Sequence, residues 1–145
     1  MPGMRLIPVT LLLMAIGIGS ADAADVTARD AWIRLLPGNL PAAGYLELDN
    51  NGVNSVQLVG MQSARFGAIE LHLSSEESGV ARMRQVHKLV IPAGKTVELK
   101  PRGYHLMLFR STGDLKPGGQ ATVTLEFSDG SYLPVNFMLR DATGQ

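Results

Sequence analysis

Turn-forming residues interrupt this sequence every ~8–12 residues, and that spacing restricts its fold more than any other feature. Between the turns, apolar and polar residues alternate at a period of two, most clearly in the run ATVTLEF at 121–127. Such alternation is typical of strands that bury one face, and no helical period runs long enough to compete with it. The chain is therefore predicted to be an all-β sandwich or barrel.

Eight or nine short strands, mostly antiparallel, account for the whole pattern. They are predicted at 26–35, 45–48, 56–59, 68–72, 80–86, 96–99, 104–109, 121–127 and 132–139. The polar segment 74–79 is predicted to be a loop between two of them. No repeat, linker or low-complexity tract divides the chain after residue 23, so one domain is predicted over 24–145.

The first 23 residues have the order of a secretory signal peptide. A short start with one positive charge precedes the mainly apolar run 6–18, and Ala21-Asp22-Ala23 supplies the small residues of a cleavage site. The apolar run is too short to span a bilayer comfortably. We expect cleavage after Ala23, export, and no stable membrane insertion of the mature chain.

Composition excludes several classes of function. Lys plus Arg number 13 and Asp plus Glu number 13, so the net charge is zero, which argues against a nucleic-acid binder or a polybasic membrane-surface protein. Cysteine is absent, which excludes disulfides, thiolate catalysis, Cys-ligated zinc, iron–sulfur clusters and a blue-copper centre. Any soft metal ligands must then be methionine or histidine.

Two His/Met pairs emerge from the predicted strands. His105 and Met107 are two residues apart on one strand, so their side chains share a face, and we expect it to be the less buried one. If the strands flanking 74–79 pair about a centre near Glu77 and Ser78, His72 lies directly opposite Met83. Brought together, the two pairs form a set of two nitrogens and two sulfurs.

Such a set points to copper. Thioethers select Cu(I) and imidazole also suits copper, whereas zinc favours thiolate or carboxylate and hard cations favour oxygen. Taken singly, each residue has an ordinary explanation, because a methionine is usually core filler and a histidine is usually a surface or hydrogen-bonded residue.

The spacing of His72, Met83, His105 and Met107 resembles the H-x10-M-x21-H-x-M signature of the PCu(A)C family of periplasmic copper chaperones. Five other stretches are similar to that family: Ala31-Trp32-Ile33-Arg34, Ala42-Ala43-Gly44-Tyr45, Ile69-Glu70-Leu71-His72, Ile91-Pro92-Ala93-Gly94 and Tyr104-His105-Leu106-Met107-Leu108. The resemblance implies a cupredoxin-like β-sandwich, a solvent-accessible Cu(I) site with these four ligands, and a periplasmic location. It also implies delivery of copper for the CuA centre of cytochrome c oxidase, with subunit II of the oxidase and Sco-type proteins as partners.

The sequence departs from that family at two places. Many members have a methionine two residues after the first histidine, where this chain has Ser74. Some members have a His- and Met-rich tail linked to Cu(II), whereas this chain ends in 140–145 without either residue, so a Cu(II) site of that kind is not expected. His87 lies outside the motif and is interpreted as a surface residue, and Trp32 as a packing residue.

Two other functions remain open at the level of sequence. An exported β-sandwich could bind a protein or another ligand through its loops without any metal, since one fold serves many functions. An enzyme is not expected, because no paired carboxylates, nucleophile elbow or second cluster accompany the His/Met set.

Overall fold

The computed structural model describes residues 25–145, so the predicted signal peptide lies outside the described residues. This range contains ten strands and no helix: β1 (Val26–Arg34), β2 (Ala42–Asn50), β3 (Val56–Gln62), β4 (Phe66–Glu77), β5 (Val80–Val86), β6 (Leu89–Ile91), β7 (Thr96–Leu99), β8 (Tyr104–Ser111), β9 (Gln120–Phe127) and β10 (Tyr132–Arg140). No helix that could cross a bilayer is found within it.

Hydrogen bonding connects all ten strands in the order β5-β4-β8-β2-β1-β10-β9-β3-β6, with β7 also paired to β2. Among the described residues only β1 and β10 pair in parallel, so the predicted all-β class with mostly antiparallel strands is confirmed. The count is ten and not eight or nine. The strand that the sequence pattern missed is β6, whose three residues are too few to display alternation.

The two halves of this sheet bury their side chains in one shared cluster. Strands β2, β4 and β8 contribute residues such as Leu46, Leu71 and Leu106, while β9 and β10 contribute residues such as Phe127 and Phe137. The sheet is therefore folded over its own core as two layers. A bulge in β1 between Arg29 and Trp32 interrupts its pairing with β2 near the point where β10 joins from the other side.

Strand β4 extends beyond the body of the sheet. It pairs with β8 as far as Leu73; the Ser74 amide then donates to the Gly103 carbonyl at 3.1 Å, and β5 is the only described strand that pairs with the rest. The connecting turn consists of Ser78 (φ 52°) and Gly79 (φ 75°), and two consecutive positive φ angles are typical of a tight type I′ hairpin. We call residues 74–83 of this hairpin the arm.

The prediction of a loop at 74–79 is therefore wrong. Residues 74–77 continue β4, and only Ser78 and Gly79 form the turn. The physical reason is that both faces of the outer arm are exposed, so its sequence lacks the apolar alternation by which a half-buried strand is recognised.

Candidate metal centre

His72 and His105 lie directly opposite each other on the neighbouring strands β4 and β8. Their ring centroids are 5.9 Å apart. Two residues along the same strands, Glu70 lies opposite Met107. Because alternate residues of a strand share a face, both imidazoles, the Met107 thioether and the Glu70 carboxylate belong to one face of the sheet.

Met83 does not occupy its predicted register position. It lies opposite Ser74, and His72 lies opposite Gln85. The turn is centred between Ser78 and Gly79, one residue later than predicted, and moving the centre by one residue moves every cross-strand partner by two. A shift of two preserves the face, so Met83 becomes a diagonal neighbour of His72.

A groove of about 510 Å³ brings three of the four predicted ligands together, and His72 lies outside its lining, beside His105. Its lining includes Ser74, Met83, His105 and Met107, together with Tyr45, Arg34 and Arg102. The two methionines differ in solvent exposure: Met83 is 55% exposed, whereas Met107 is half-buried. His105 is buried at 6% exposure, which contradicts the expectation that it lies on a less buried face. Tyr45, equally buried, covers its ring.

Each imidazole is held through one nitrogen in a way that leaves the other with a lone pair. The Nε2–H of His72 donates to the Glu70 carboxylate at 2.8 Å, and Nδ1 of His72 is buried without a hydrogen-bond partner. The Nδ1–H of His105 donates to the carbonyl of Gly103 at 3.1 Å, so the lone pair of this ring lies on Nε2. Hydrogen bonds of this kind fix the tautomer and orientation of metal-ligating histidines.

Burial lowers the pKa of His105, and the nearby His72 lowers it further, while the hydrogen bond to the Gly103 carbonyl acts in the opposite direction. The neutral imidazole is therefore favoured over a wider pH range than for an exposed histidine. A neutral ring is the form that binds a metal ion.

A row of aromatic rings supports His105 from behind. Tyr45 lies 6.5 Å from the His105 ring and Trp32 lies 4.7 Å from Tyr45, measured between centroids. Burial raises the pKa of the Tyr45 hydroxyl. Trp32 packs here against Tyr45 and close to Gly144 near the C-terminus, consistent with its interpretation as a packing residue.

Sequence reasoning missed two contributors to this centre, Glu70 and Tyr45. A signal for Glu70 was present, because it precedes His72 by two residues and must share its face on a strand. Tyr45 could not have been found in this way, since its contact with His105 depends on the pairing of β2 with β8.

His87, the histidine outside the motif, and the exposed Met138 on β10 lie away from the groove. His87 is exposed and lies outside the groove. Met138 is 42% exposed and accepts a hydrogen bond from Gln120 on β9. Within residues 25–145 no group of three or more His, Asp or Glu side chains is arranged to hold a metal ion. A four-ligand set at this groove therefore depends on thioethers.

Comparison with known proteins identifies relatives over most of the described chain. The LpqE-like family, described as "Putative lipoprotein LpqE-like", matches residues 26–139. A protein of Leifsonia xyli subsp. xyli named "Putative lipoprotein Lxx21020" is 32% identical over 124 residues, which cover 85% of this chain and 74% of that protein.

Solved structures with the same fold include copper-bound proteins. The solution structure of Cu(I)-DR1885 from Deinococcus radiodurans is 27% identical, with a TM-score of 0.66 over 85% of this chain and 83% of that one. The copper-bound PCuAC domain of PmoF2 has a TM-score of 0.68 at 20% identity, over 81% of this chain and 93% of that domain, and shows the fold alone.

Proposed function

This chain belongs to the LpqE-like family, and from that premise and the geometry of its groove we propose that it is an exported copper chaperone. It binds one Cu(I) ion through His72, Met83, His105 and Met107. The observation that carries the proposal is the pairing of His72 with His105 across two strands, with Met107 on the same face and Met83 at the rim. The solved Cu(I)-bound structure from Deinococcus radiodurans, which is 27% identical to this chain, supports it.

The donor set suits Cu(I) in particular. The two imidazoles offer Nδ1 of His72 and Nε2 of His105, each fixed by a hydrogen bond on the opposite ring nitrogen. The buried, unpartnered Nδ1 of His72 costs free energy until a ligand reaches it, because an unsatisfied polar atom has lost its hydration. Two thioethers complete a soft coordination sphere that hard cations do not favour.

The same groove explains how a tightly held ion is released. All four ligands are uncharged when bound, so an acceptor that offers thiolates neutralises the ion and provides a softer site. The Glu70 carboxylate beside His72 offsets part of the charge before transfer. Because Met83 is exposed at the rim, an incoming ligand replaces it first, and copper passes between the proteins without becoming free.

The proposed destination is the CuA centre of cytochrome c oxidase, with oxidase subunit II or a Sco-type protein as the acceptor. This part of the proposal follows the resemblance to PCu(A)C chaperones. The chain acts here as a carrier and not as an enzyme, since the four ligands leave no position dedicated to a substrate.

The test is X-ray absorption spectroscopy on the Cu(I)-loaded chain, together with chelator competition. We expect two nitrogen and two sulfur ligands per copper in the wild-type chain. Alanine substitution of His72, Met83, His105 or Met107 should each lower Cu(I) affinity by at least about tenfold, equivalent to ~1.4 kcal/mol.

Two control variants match the ligands in side-chain chemistry. His87→Ala removes an exposed imidazole outside the groove, and Met138→Ala removes an exposed thioether on β10, so neither should change Cu(I) affinity. A wild-type chain that cannot retain Cu(I) against the chelator would overturn the proposal and leave the exported binding module without metal as the better description.

A further inference from the structure

Three guanidinium groups without carboxylate partners surround one side of the groove. Arg34 and Arg102 line it, and Arg140 lies beside Arg34 through the parallel pairing of β1 with β10. Within the described part of the chain, none of the three forms an ion pair. We call Arg34, Arg102 and Arg140 the arginine rim.

The neighbouring charges on β1, β2 and β7 behave differently. Arg29 pairs with Glu47 and with Asp49, and Lys100 pairs with Glu98 at 3.1 Å. Positive charge in that region is thus neutralised within the molecule. The arginine rim differs from that region because its charge is left available beside the groove.

The rim is also held in place. The Arg34 guanidinium lies 5.4 Å from the Trp32 ring centroid and 5.5 Å from that of Tyr45, while the Arg140 guanidinium lies 4.7 Å from the same Trp32 ring. Stacking on aromatic faces restrains both side chains without neutralising them. The Nε of Arg34 is buried and has no hydrogen-bond partner.

An apolar segment continues the surface next to the arginines. Leu36 and Pro41 line the same groove, and Leu36 and Leu40 are 36% and 61% exposed. Apolar contacts bordered by unpaired charges are the usual composition of a protein-binding surface, in which charge supplies orientation and rate of encounter.

We propose that the arginine rim is the docking surface for an acidic protein partner that receives or supplies the copper ion, an inference that rests on the proposed function. Charge complementarity decides the occupant. A Cu(I) ion on neutral ligands adds a positive charge to a face that carries three guanidinium groups and the Glu70 carboxylate, so carboxylates around the acceptor's thiols compensate the remaining excess. They bring the acceptor over Met83 at the open side of the groove.

The experiment measures Cu(I) transfer from the loaded chain to two synthetic acceptor peptides. Both contain Cys-x-x-Cys, and the motif is flanked by glutamates in one and by lysines in the other. We expect transfer to the acidic peptide to be about tenfold faster at low salt, with the difference shrinking as ionic strength rises. Equal rates for the two peptides would overturn the proposal.

Variants locate the effect on the surface. Arg102→Asn removes an exposed charge at a residue whose φ is +71°, a conformation that asparagine tolerates, so the fold is preserved. We expect this variant and Arg34→Gln to reduce the rate ratio between the acidic and the lysine-flanked peptide about threefold or more, a ratio in which any change of Cu(I) affinity cancels. Arg84→Gln, an equal change of net charge on the opposite face of β5 from Met83, should have no such effect, and a matching loss there would refute the placement.

The metal-free chain separates this proposal from the proposed function. NMR titration with an acidic peptide lacking cysteine should shift the amide signals of Arg34, Arg102 and Leu36 whether or not copper binds. A chain that binds the peptide but no Cu(I) would overturn the chaperone proposal alone. A chain that binds Cu(I) but shows no shifts at the rim would overturn the docking surface alone.

Discussion

The two histidines and the arm that carries Met83 differ in how firmly the fold holds them. His72 and His105 lie within a continuous block of paired strands, where β8 has β2 on one side and β4 on the other. Beyond Ser74, whose amide donates to the Gly103 carbonyl, the two strands of the arm pair only with each other among the described residues, and β5 is exposed along nearly its whole length. Few buried contacts and one-sided pairing are the properties of segments that open at low free-energy cost. On the proposed function, the imidazoles hold the ion in place while the arm moves to let the ligands of the acceptor protein reach it.

The largest expected effect separates the core from the groove within a single strand. Leu106→Ala should lower the free energy of unfolding by about 2–5 kcal/mol, because its side chain is fully buried. Met107→Ala should lower it by less than about 1 kcal/mol, since its side chain is half-buried at the groove. Denaturant unfolding of the metal-free variants measures both.

The loss of Cu(I) affinity should be larger in Met107→Ala than in Leu106→Ala, the reverse of their order in stability. Met107→Ala should lose at least about tenfold in Cu(I) affinity, whereas folded Leu106→Ala retains all four ligands. Equal losses of stability in the two variants would make Met107 a core residue and not a ligand.

The second prediction concerns the hydrogen bond that orients His72. Glu70→Ala should weaken Cu(I) binding about 10–100-fold, the usual cost of losing a partner behind a metal ligand. Glu70→Gln should recover most of that loss, because its amide oxygen still accepts the Nε2–H. The ¹⁵N chemical shifts of the His72 ring report the tautomer directly, and Glu76→Ala on the arm is the control. Identical binding by Glu70→Ala and wild type would remove Glu70 from the centre.

The third prediction tests the arm through its turn. Gly79→Ala forces a β-carbon onto a φ of +75° with no atom within 4 Å, so its cost of about 1–2 kcal/mol is backbone strain alone. The arm can relieve that strain by opening. We therefore expect faster amide exchange in 74–83 and a loss of about fivefold in Cu(I) affinity, with the rest of the chain unchanged.

Gly130→Ala is the matched control for that variant. Gly130 has a φ of +83°, also with no atom within 4 Å, in the turn between β9 and β10. It introduces similar strain far from the groove and should leave copper binding intact. A firmly held arm would instead make both variants lose global stability equally and leave both Cu(I) affinities unaltered.

The smallest expected effect is the contribution of His105, in the body of the sheet, to the pH dependence of the free energy of unfolding. Because the pKa of His105 is lowered in the folded chain, the unfolded chain binds a proton at higher pH than the folded one. The contribution of His105 to stability is therefore complete above about pH 6.5 and declines as the pH falls below it. Urea unfolding of metal-free wild type and His105→Gln across that range should show a weaker pH dependence in the variant.

Local patterns in the sequence predicted the core-facing residues of β8, but not the burial of His105 on its other face, and they predicted the register of the hairpin poorly. The alternation around Leu106 and Leu108 correctly indicated that both are buried. The predicted cross-strand partner of Met83 was wrong, because a polar hairpin has no apolar alternation from which its turn can be located. The contact of Tyr45 with His105 joins strands distant in sequence, and no period within either strand encodes it. The four ligands themselves remain a prediction.

The interleaving of groove and core along β8 has a consequence for how the gene can change. His105 and Met107 alternate with Leu106 and Leu108, so deleting one codon within the strand would turn the leucines outward and the candidate ligands inward. Point mutations can remove the ligands one at a time from a chain that still folds. A frame-preserving insertion or deletion of one codon would destroy the groove and the core in the same event.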